Sequence, residues 1–440
     1  MLSAMDRLPE VAALVRKRQY FVVHAPRQCG KTTAFLSFAN ETNAKGEAVA
    51  MYCSLETVQG YLRADEGIPM VYALVRAAAQ QFLTDEQCPA LVPEPGQVDA
   101  AEMRTSGIQR LISEISRVVA KPFYVLFDEV DCLGGETLIT FLRQLRNGKI
   151  DMGKGKPFAA SVALIGMRDI RDYKAKIRPE AATLGSASPF NVITEAMTIR
   201  SFTEEEVRAL YRQHTDETGQ TFEEDALVRA FAYSQGQPYL VNALARWCVE
   251  KIHSEDFTQP VTGADMDEAK EKIIRERGTH LDSLMERMKE PRVRSVVEPV
   301  MLGGTVNRDE LNDDYRYVLD LGILVERDGS LVPANPMYAE IIGRYLSWGT
   351  QQDVRMLVPE TPWVKPGGLD MAGLMAAFQQ FWRENADEAA VPFQYREAYP
   401  HLVLQAFLQR VINGGGQIVR EMALGSGRLD LGVHFSGAVY

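Results

Sequence analysis

The stretch Tyr20-Phe21-Val22-Val23-His24-Ala25-Pro26-Arg27-Gln28-Cys29-Gly30-Lys31-Thr32-Thr33 constrains this chain more than any other. Its apolar start predicts a buried strand, a tight turn follows, and Thr33-Ala34-Phe35-Leu36-Ser37-Phe38-Ala39 opens a helix. A strand that turns through Gly-Lys-Thr into a helix aims the loop's N–H groups and the helix N-terminus at one spot. Such a spot takes phosphate oxygens. In this pattern Lys31 gives a point charge to the outer phosphates and Thr32 a hydroxyl to Mg²⁺. Ala25, Pro26, Arg27, Gln28, Cys29, Gly30, Lys31, Thr32 and Thr33 are therefore the expected nucleotide-holding residues. Ala25 stands where the motif usually carries its first glycine, and a residue this small still lets the chain turn.

A second stretch matches the first in chemistry. Pro122-Phe123-Tyr124-Val125-Leu126-Phe127-Asp128-Glu129-Val130-Asp131 is a hydrophobic strand ending in adjacent carboxylates, and it resembles a Walker B motif. Asp128 is expected in the Mg²⁺ shell, and Glu129 is expected to accept a proton from the attacking water. Two more apolar runs, Glu47 to Ser54 and Ala159 to Asp169, read as strands buried on both faces. A further strand is expected from Thr198 to Phe202, and helices are expected from Tyr61 to Phe82, Thr105 to Ala120 and Leu138 to Asn147. Alternating buried strands and helices predict a parallel α/β sheet, whose ligands sit at the strand carboxyl ends. Thr203 with Glu206 reads as a capping box opening the next helix.

The chain has 440 residues and a net charge of −11, enough length for several domains and no global basic field to draw in nucleic acid. No apolar segment approaches the roughly 20 residues of a membrane span, and no signal peptide precedes the first strand. The five cysteines are scattered without CxxC spacing, so neither a disulfide framework nor a zinc site is expected, and the compartment reads as reducing and cytoplasmic. Cys29 lies near a helix N-terminus that favours thiolate, but a small loop residue is the simpler reading.

Beyond Thr203 the pattern is helical. Ser234-Gln235-Gly236-Gln237-Pro238-Tyr239-Leu240-Val241 places proline at a helix start, where its missing N–H costs nothing. With the two phosphate-site motifs, this Gly-x-Pro makes the chain resemble the AAA-like ATPases of the archaeal-ATPase and STAND branch of the P-loop class, over residues 5 to about 345. Gly185 to Val192 resembles prokaryotic members. The resemblance implies that the cofactors are ATP and Mg²⁺. It also implies that the strand ending near Arg168 lies between the two Walker strands, making Arg168 a candidate γ-phosphate sensor. Pro238 is implied to reach the nucleotide from a lid.

Asp265 to Glu290 reads as a charged, largely solvated helical connector. Val293 to Tyr345, with Asp328-Gly329 as a hairpin turn, resembles a winged helix. Between Arg292 and Ser347 lie six arginines, no lysine and nine carboxylates, which disfavours duplex binding and favours docking to protein. Asp353 to Asp370 reads as a linker. Glu421 and the Gly427-Arg428-Leu429-Asp430 run then resemble the opening of a PD-(D/E)xK nuclease domain. Asp430 matches its first metal position, but the Glu-x-Lys strand is expected only after Tyr440; the domain reads as either truncated or degenerate, and nuclease activity in this chain is not expected.

The expected fold is thus α/β: a P-loop parallel sheet in residues 1–202, a helical lid and connector in 203–290, and a winged-helix-like unit in 291–350. A linker, 351–370, and a small α+β nuclease-like domain, 371–440, complete the expected order. The expected function is Mg²⁺-dependent ATP hydrolysis coupled to domain rearrangement, with ATP and ADP as ligands. Two alternatives stand beside it: a nucleotide-gated protein-interaction switch with little turnover, and a DNA-targeting defence or mobile-element factor. A protein partner or self-association is expected.

Overall fold

The computed structural model describes residues 4–82, 95–167, 193, 195–301, 312–357, 363–365, 368–385, 404, 408, 416–424, 427–435 and 438–440. The chain divides into two compact units, Met1–Leu210 and Tyr211–Tyr440.

In the first unit the apolar runs form strands β1 (Tyr20–His24), β2 (Val49–Ser54), β3 (Phe123–Asp128), β4 (Ser161–Gly166) and β5 (Glu195–Thr198). They make one five-stranded sheet in the order β2-β3-β4-β1-β5. Every pairing in it is parallel. Helices α1 (Pro9–Arg16) and α2 (Lys31–Lys45) cover one face, packing Leu14, Phe35 and Ala39 with Phe21, Val23, Leu126 and Ile165. Helices α3 (Ala64–Phe82), α4 (Ile108–Val119) and α5 (Gly135–Gly153) cover the other, with Ile68, Ile112 and Phe141 against Val22, Val125 and Phe127. Burial on both faces is why these strands are continuous apolar runs instead of alternating ones.

A single 3₁₀ turn at Ala4–Arg7 lies ahead of α1. Two expectations need correction here. The helix expected from Thr105 starts with a wide π turn, Met103–Gly107, before α4. The fifth strand lies upstream of the expected Thr198 to Phe202, because the chain leaves the sheet after Thr198 to satisfy other groups. There Arg200 makes a two-pronged bond to Glu206 at 2.6 and 2.7 Å. Phe202 lies under the Arg7 guanidinium, 4.7 Å from its ring centre. The capping box forms as expected: Thr203 N donates to Glu206 Oε2 at 2.8 Å and Glu206 N to Thr203 Oγ1 at 3.2 Å.

The second unit begins within helix α6 (Glu204–Thr218) and continues through α7 (Glu224–Ser234), α8 (Pro238–Arg246), α9 (Gly263–Glu276) and α10 (Thr279–Met288). The segment read as a largely solvated connector exposes its charged face but buries an apolar stripe. Met266, Ala269, Ile273 and Ile274 of α9 and Leu281, Met285 and Met288 of α10 are buried, at a helical spacing masked by the charges between them. Even Lys270 is buried, paired with Glu340 at 3.3 Å.

Helices α11 (Pro291–Met301) and α12 (Asp313–Asp320) precede an antiparallel hairpin, β6 (Leu324–Arg327) and β7 (Ser330–Pro333), and then α13 (Pro336–Leu357). Asp328 and Gly329 turn the hairpin with positive φ of 50° and 77°. α13 continues to Leu357, into the stretch read as linker. Beyond it lie a short β8–β9 pair (Val364–Lys365, Gly368–Leu369), helix α14 (Met371–Asn385) and a three-stranded antiparallel sheet of β10 (Gly416–Leu424), β11 (Gly427–Phe435) and β12 (Ala438–Val439). Glu421 lies on β10 and Asp430 on β11.

His280 of α10 fixes the middle of this unit. Its ring stacks on Tyr239 of α8 at 4.6 Å and shares a 2.5 Å hydrogen bond with the Tyr338 hydroxyl of α13. Burial lowers its pKa from 6.5 to about 4. The unfolded chain therefore takes up this proton at a higher pH than the folded one. His280's contribution is full above pH 6.5 and declines as the pH falls towards 4. At ~1.4 kcal/mol per pH unit, about 3 kcal/mol of stability is expected to be lost across this window. Urea denaturation at a series of pH values measures it, and His280→Phe is expected to flatten the slope. An unchanged slope in the variant rules the assignment out.

Candidate functional site

The strand order gathers the chemistry. β4 lies between β1 and β3, so the loop after β1 and the acidic end of β3 are two strand spacings apart at the same carboxyl edge. That is the placement the sequence implies for the strand leading to Arg168, although Arg168 itself lies outside the described residues, as does Gly185 to Val192. The Ala25 N–H donates to the Gly166 carbonyl at 3.1 Å, which docks the loop on the end of β4.

The loop takes the shape of an anion-binding concavity. Gln28 and Gly30 have positive φ, 56° and 89°, on either side of Cys29. Alternation of this kind turns successive N–H groups towards one point. Gly30 then opens α2, leaving the first turn's N–H groups at the same place. Lys31 is buried, and its ammonium donates to the Ala25 and Pro26 carbonyls at 2.8 and 2.9 Å, so the charge is held over the loop. Burial pushes the Cys29 thiol up, against the thiolate that its helix position would favour. Arg27 is exposed and reaches the Met167 sulfur at 3.3 Å.

The acidic pair meets the loop directly. Thr32 Oγ1 donates to Asp128 Oδ2 at 2.7 Å. Asp128 is wholly buried and accepts two more bonds, from the Tyr52 hydroxyl at 2.6 Å and from the Glu129 N–H at 2.9 Å. Glu129 has a φ of 56°, which turns its side chain away from the strand direction. Burial raises the Glu129 pKa, with the nearby Asp131 and Asp128 charges adding to the rise and Lys31 opposing it. Asp131 accepts from the Met167 N–H at 3.1 Å. It sits so close to Gly166 that a side chain there would come within 2.5 Å of its Oδ1.

The structure thus brings Lys31, Thr32, Asp128 and Glu129 to one point. Pro238 lies in the second unit, at the first turn of α8, where the Gln237 side chain caps the Leu240 N–H at 2.7 Å. A hydroxyl and a buried carboxylate in contact are hard oxygen donors. They fit Mg²⁺, which takes one or two protein oxygens and completes its shell from water and phosphate.

Two residues were not legible as site residues in the sequence. Tyr52 read only as part of an apolar strand. Arg7 stands outside both motifs, yet it is buried and donates to the Cys29 carbonyl at 2.9 Å and the Arg200 carbonyl at 3.3 Å. A Cβ on Gly30 would come within 2.7 Å of Arg7 Nη2. Glycine is needed there both for the positive φ and for that close approach. Gly30→Ala is expected to cost about 1–3 kcal/mol in urea denaturation. The cost is expected to shrink in an Arg7→Ala background, where the crowding is gone; additive costs would refute this coupling.

No family model matches the sequence, and no curated protein matches it. Solved structures do. A Walker-type ATPase of Pyrococcus abyssi superposes with a TM-score of 0.53 at 15% identity, covering 78% of this chain and 96% of that one. The ORC2 protein of Aeropyrum pernix, solved as ADPNP–ADP complexes, gives a TM-score of 0.46 at 12% identity over 81% of this chain and 93% of that one. At 15% identity the likeness to the Walker-type ATPase is one of fold: with the parallel sheet described above, this chain is an α/β protein that shares the fold of that structure.

Proposed function

We propose that this chain binds ATP with Mg²⁺ and hydrolyses it, coupling its nucleotide state to a rearrangement of its domains. The observation that carries the reading is the 2.7 Å bond between Thr32 and Asp128, joining the phosphate loop to the acidic strand end. In this reading the loop from Ala25 to Thr33 surrounds the phosphates, and the N–H groups after Pro26 and the Lys31 ammonium hold them, the Ala25 N–H being taken by Gly166. Thr32 and Asp128 hold the metal, which when bound neutralises phosphate charge. Glu129 takes the proton of the attacking water, and burial that raises its affinity for protons suits a base. Arg168 senses the γ-phosphate, and Pro238 contributes from the lid. The Walker-type ATPase likeness supports the nucleotide chemistry at the level of fold.

The same reading treats residues 291–350 as a winged-helix unit that docks protein, since its carboxylates outnumber its arginines. Residues 371–440 are read as the opening of a nuclease-like domain. No described helix is long and apolar enough to cross a membrane.

Isothermal titration with ATP, ADP and GTP, with and without Mg²⁺, tests the proposal. Lys31→Ala is expected to weaken ATP binding at least tenfold while the fold stays intact. Glu129→Gln is expected to keep ATP binding and lower turnover by about 10²–10⁴-fold. Equal ATP affinity in Lys31→Ala would overturn the site. Retained turnover in Glu129→Gln would remove Glu129 as the base. Undetectable turnover in the wild type, with tight Mg²⁺-dependent binding, would favour the nucleotide-gated switch.

A further inference from the structure

Asp128 is a carboxylate with no solvent exposure, and among the described residues its three hydrogen-bond partners are all neutral donors. They differ in what anchors them. The Glu129 N–H is main chain beside Asp128 itself and holds Oδ1 at 2.9 Å. Thr32 belongs to the phosphate loop and holds Oδ2 at 2.7 Å through the hydroxyl that a metal would also use. Tyr52 belongs to neither motif. It stands on β2, opposite Leu126 of β3, and reaches the same Oδ2 at 2.6 Å. Its position is set by the sheet register, so this donor stays in place whatever the loop does.

We propose that Tyr52 is a positioning residue for the metal: its hydroxyl fixes the Asp128 carboxylate in the orientation that faces Thr32, and so sets the Mg²⁺ affinity of the nucleotide complex. This inference rests on the nucleotide reading above and adds a residue to it. When a metal engages the Thr32 oxygen, Tyr52 remains as the side-chain donor that keeps Oδ2 from swinging. Groups that hold a metal ligand from behind typically govern 10–100-fold in metal affinity. The effect is expected on the metal more than on the phosphates, because the Tyr52 hydroxyl donates to Asp128 and lies beside the Thr32 hydroxyl, the two groups that this reading gives to the metal.

The test uses the full chain and a fluorescent ATP analogue. Nucleotide affinity is measured in EDTA, and Mg²⁺ is then titrated into a fixed nucleotide complex, for wild type, Tyr52→Phe, Asp128→Asn and the double variant. Tyr52→Phe is expected to leave the EDTA affinity within twofold of wild type and to raise the Mg²⁺ half-saturation about tenfold. In the Asp128→Asn background the same change is expected to shift it no further. A Tyr52→Phe curve within twofold of wild type overturns the proposal, as does an equal shift in both backgrounds, which marks a general packing role. A wild type that binds nucleotide with no response to Mg²⁺ also overturns it while leaving nucleotide binding intact. A wild type that binds no nucleotide removes the functional reading itself.

Discussion

The structure of the first unit depends on one costly object, a carboxylate removed from water at the end of a central strand. Isolated burial of such a charge is prohibitive, and hydrogen bonds from every side are what make it tolerable. Asp128 obtains them from β2, from the start of α2 and from its own main chain. Each donor comes from a different part of the unit. Satisfying the charge therefore pins together the loop after β1, the neighbouring strand and the turn that carries Glu129.

The loop has the opposite problem and the matching solution. Its Ala25, Pro26 and Cys29 carbonyls are taken up by two buried cations. Lys31 binds the Ala25 and Pro26 carbonyls from above. Arg7 binds the Cys29 carbonyl from behind, in the space that the missing side chain of Gly30 leaves. From Arg7 the contacts continue through the Arg200 carbonyl to the Glu206 capping box at the start of α6. The loop after β1 is thus tied by packing and hydrogen bonds to the first helical turn after the sheet.

Parallel sheets of this kind put the ends of all their strands on one edge, and strand order decides which ends are neighbours. With β4 between β1 and β3, the loop docks on Gly166 and the acidic turn docks on Met167. The absence of a side chain at Gly166 gives Asp131 its place. Small residues at the close of β4 are thus part of how the two motifs are brought into contact.

The sequence by itself determined the strand-loop-helix at Gly30-Lys31-Thr32, the acidic strand end at Asp128-Glu129, the buried runs and the hairpin at Asp328-Gly329. These are local patterns, in which periodicity and turn chemistry act within a few residues. Tertiary structure alone decided the rest. It placed Tyr52 on Asp128 and Arg7 behind Gly30, shifted the fifth strand to Glu195–Thr198, and buried the apolar stripe of the charged segment from Asp265 to Glu290. Each of those outcomes depends on which distant element packs alongside, and a hydroxyl or guanidinium becomes a site residue only when sheet order brings a buried acceptor within its reach.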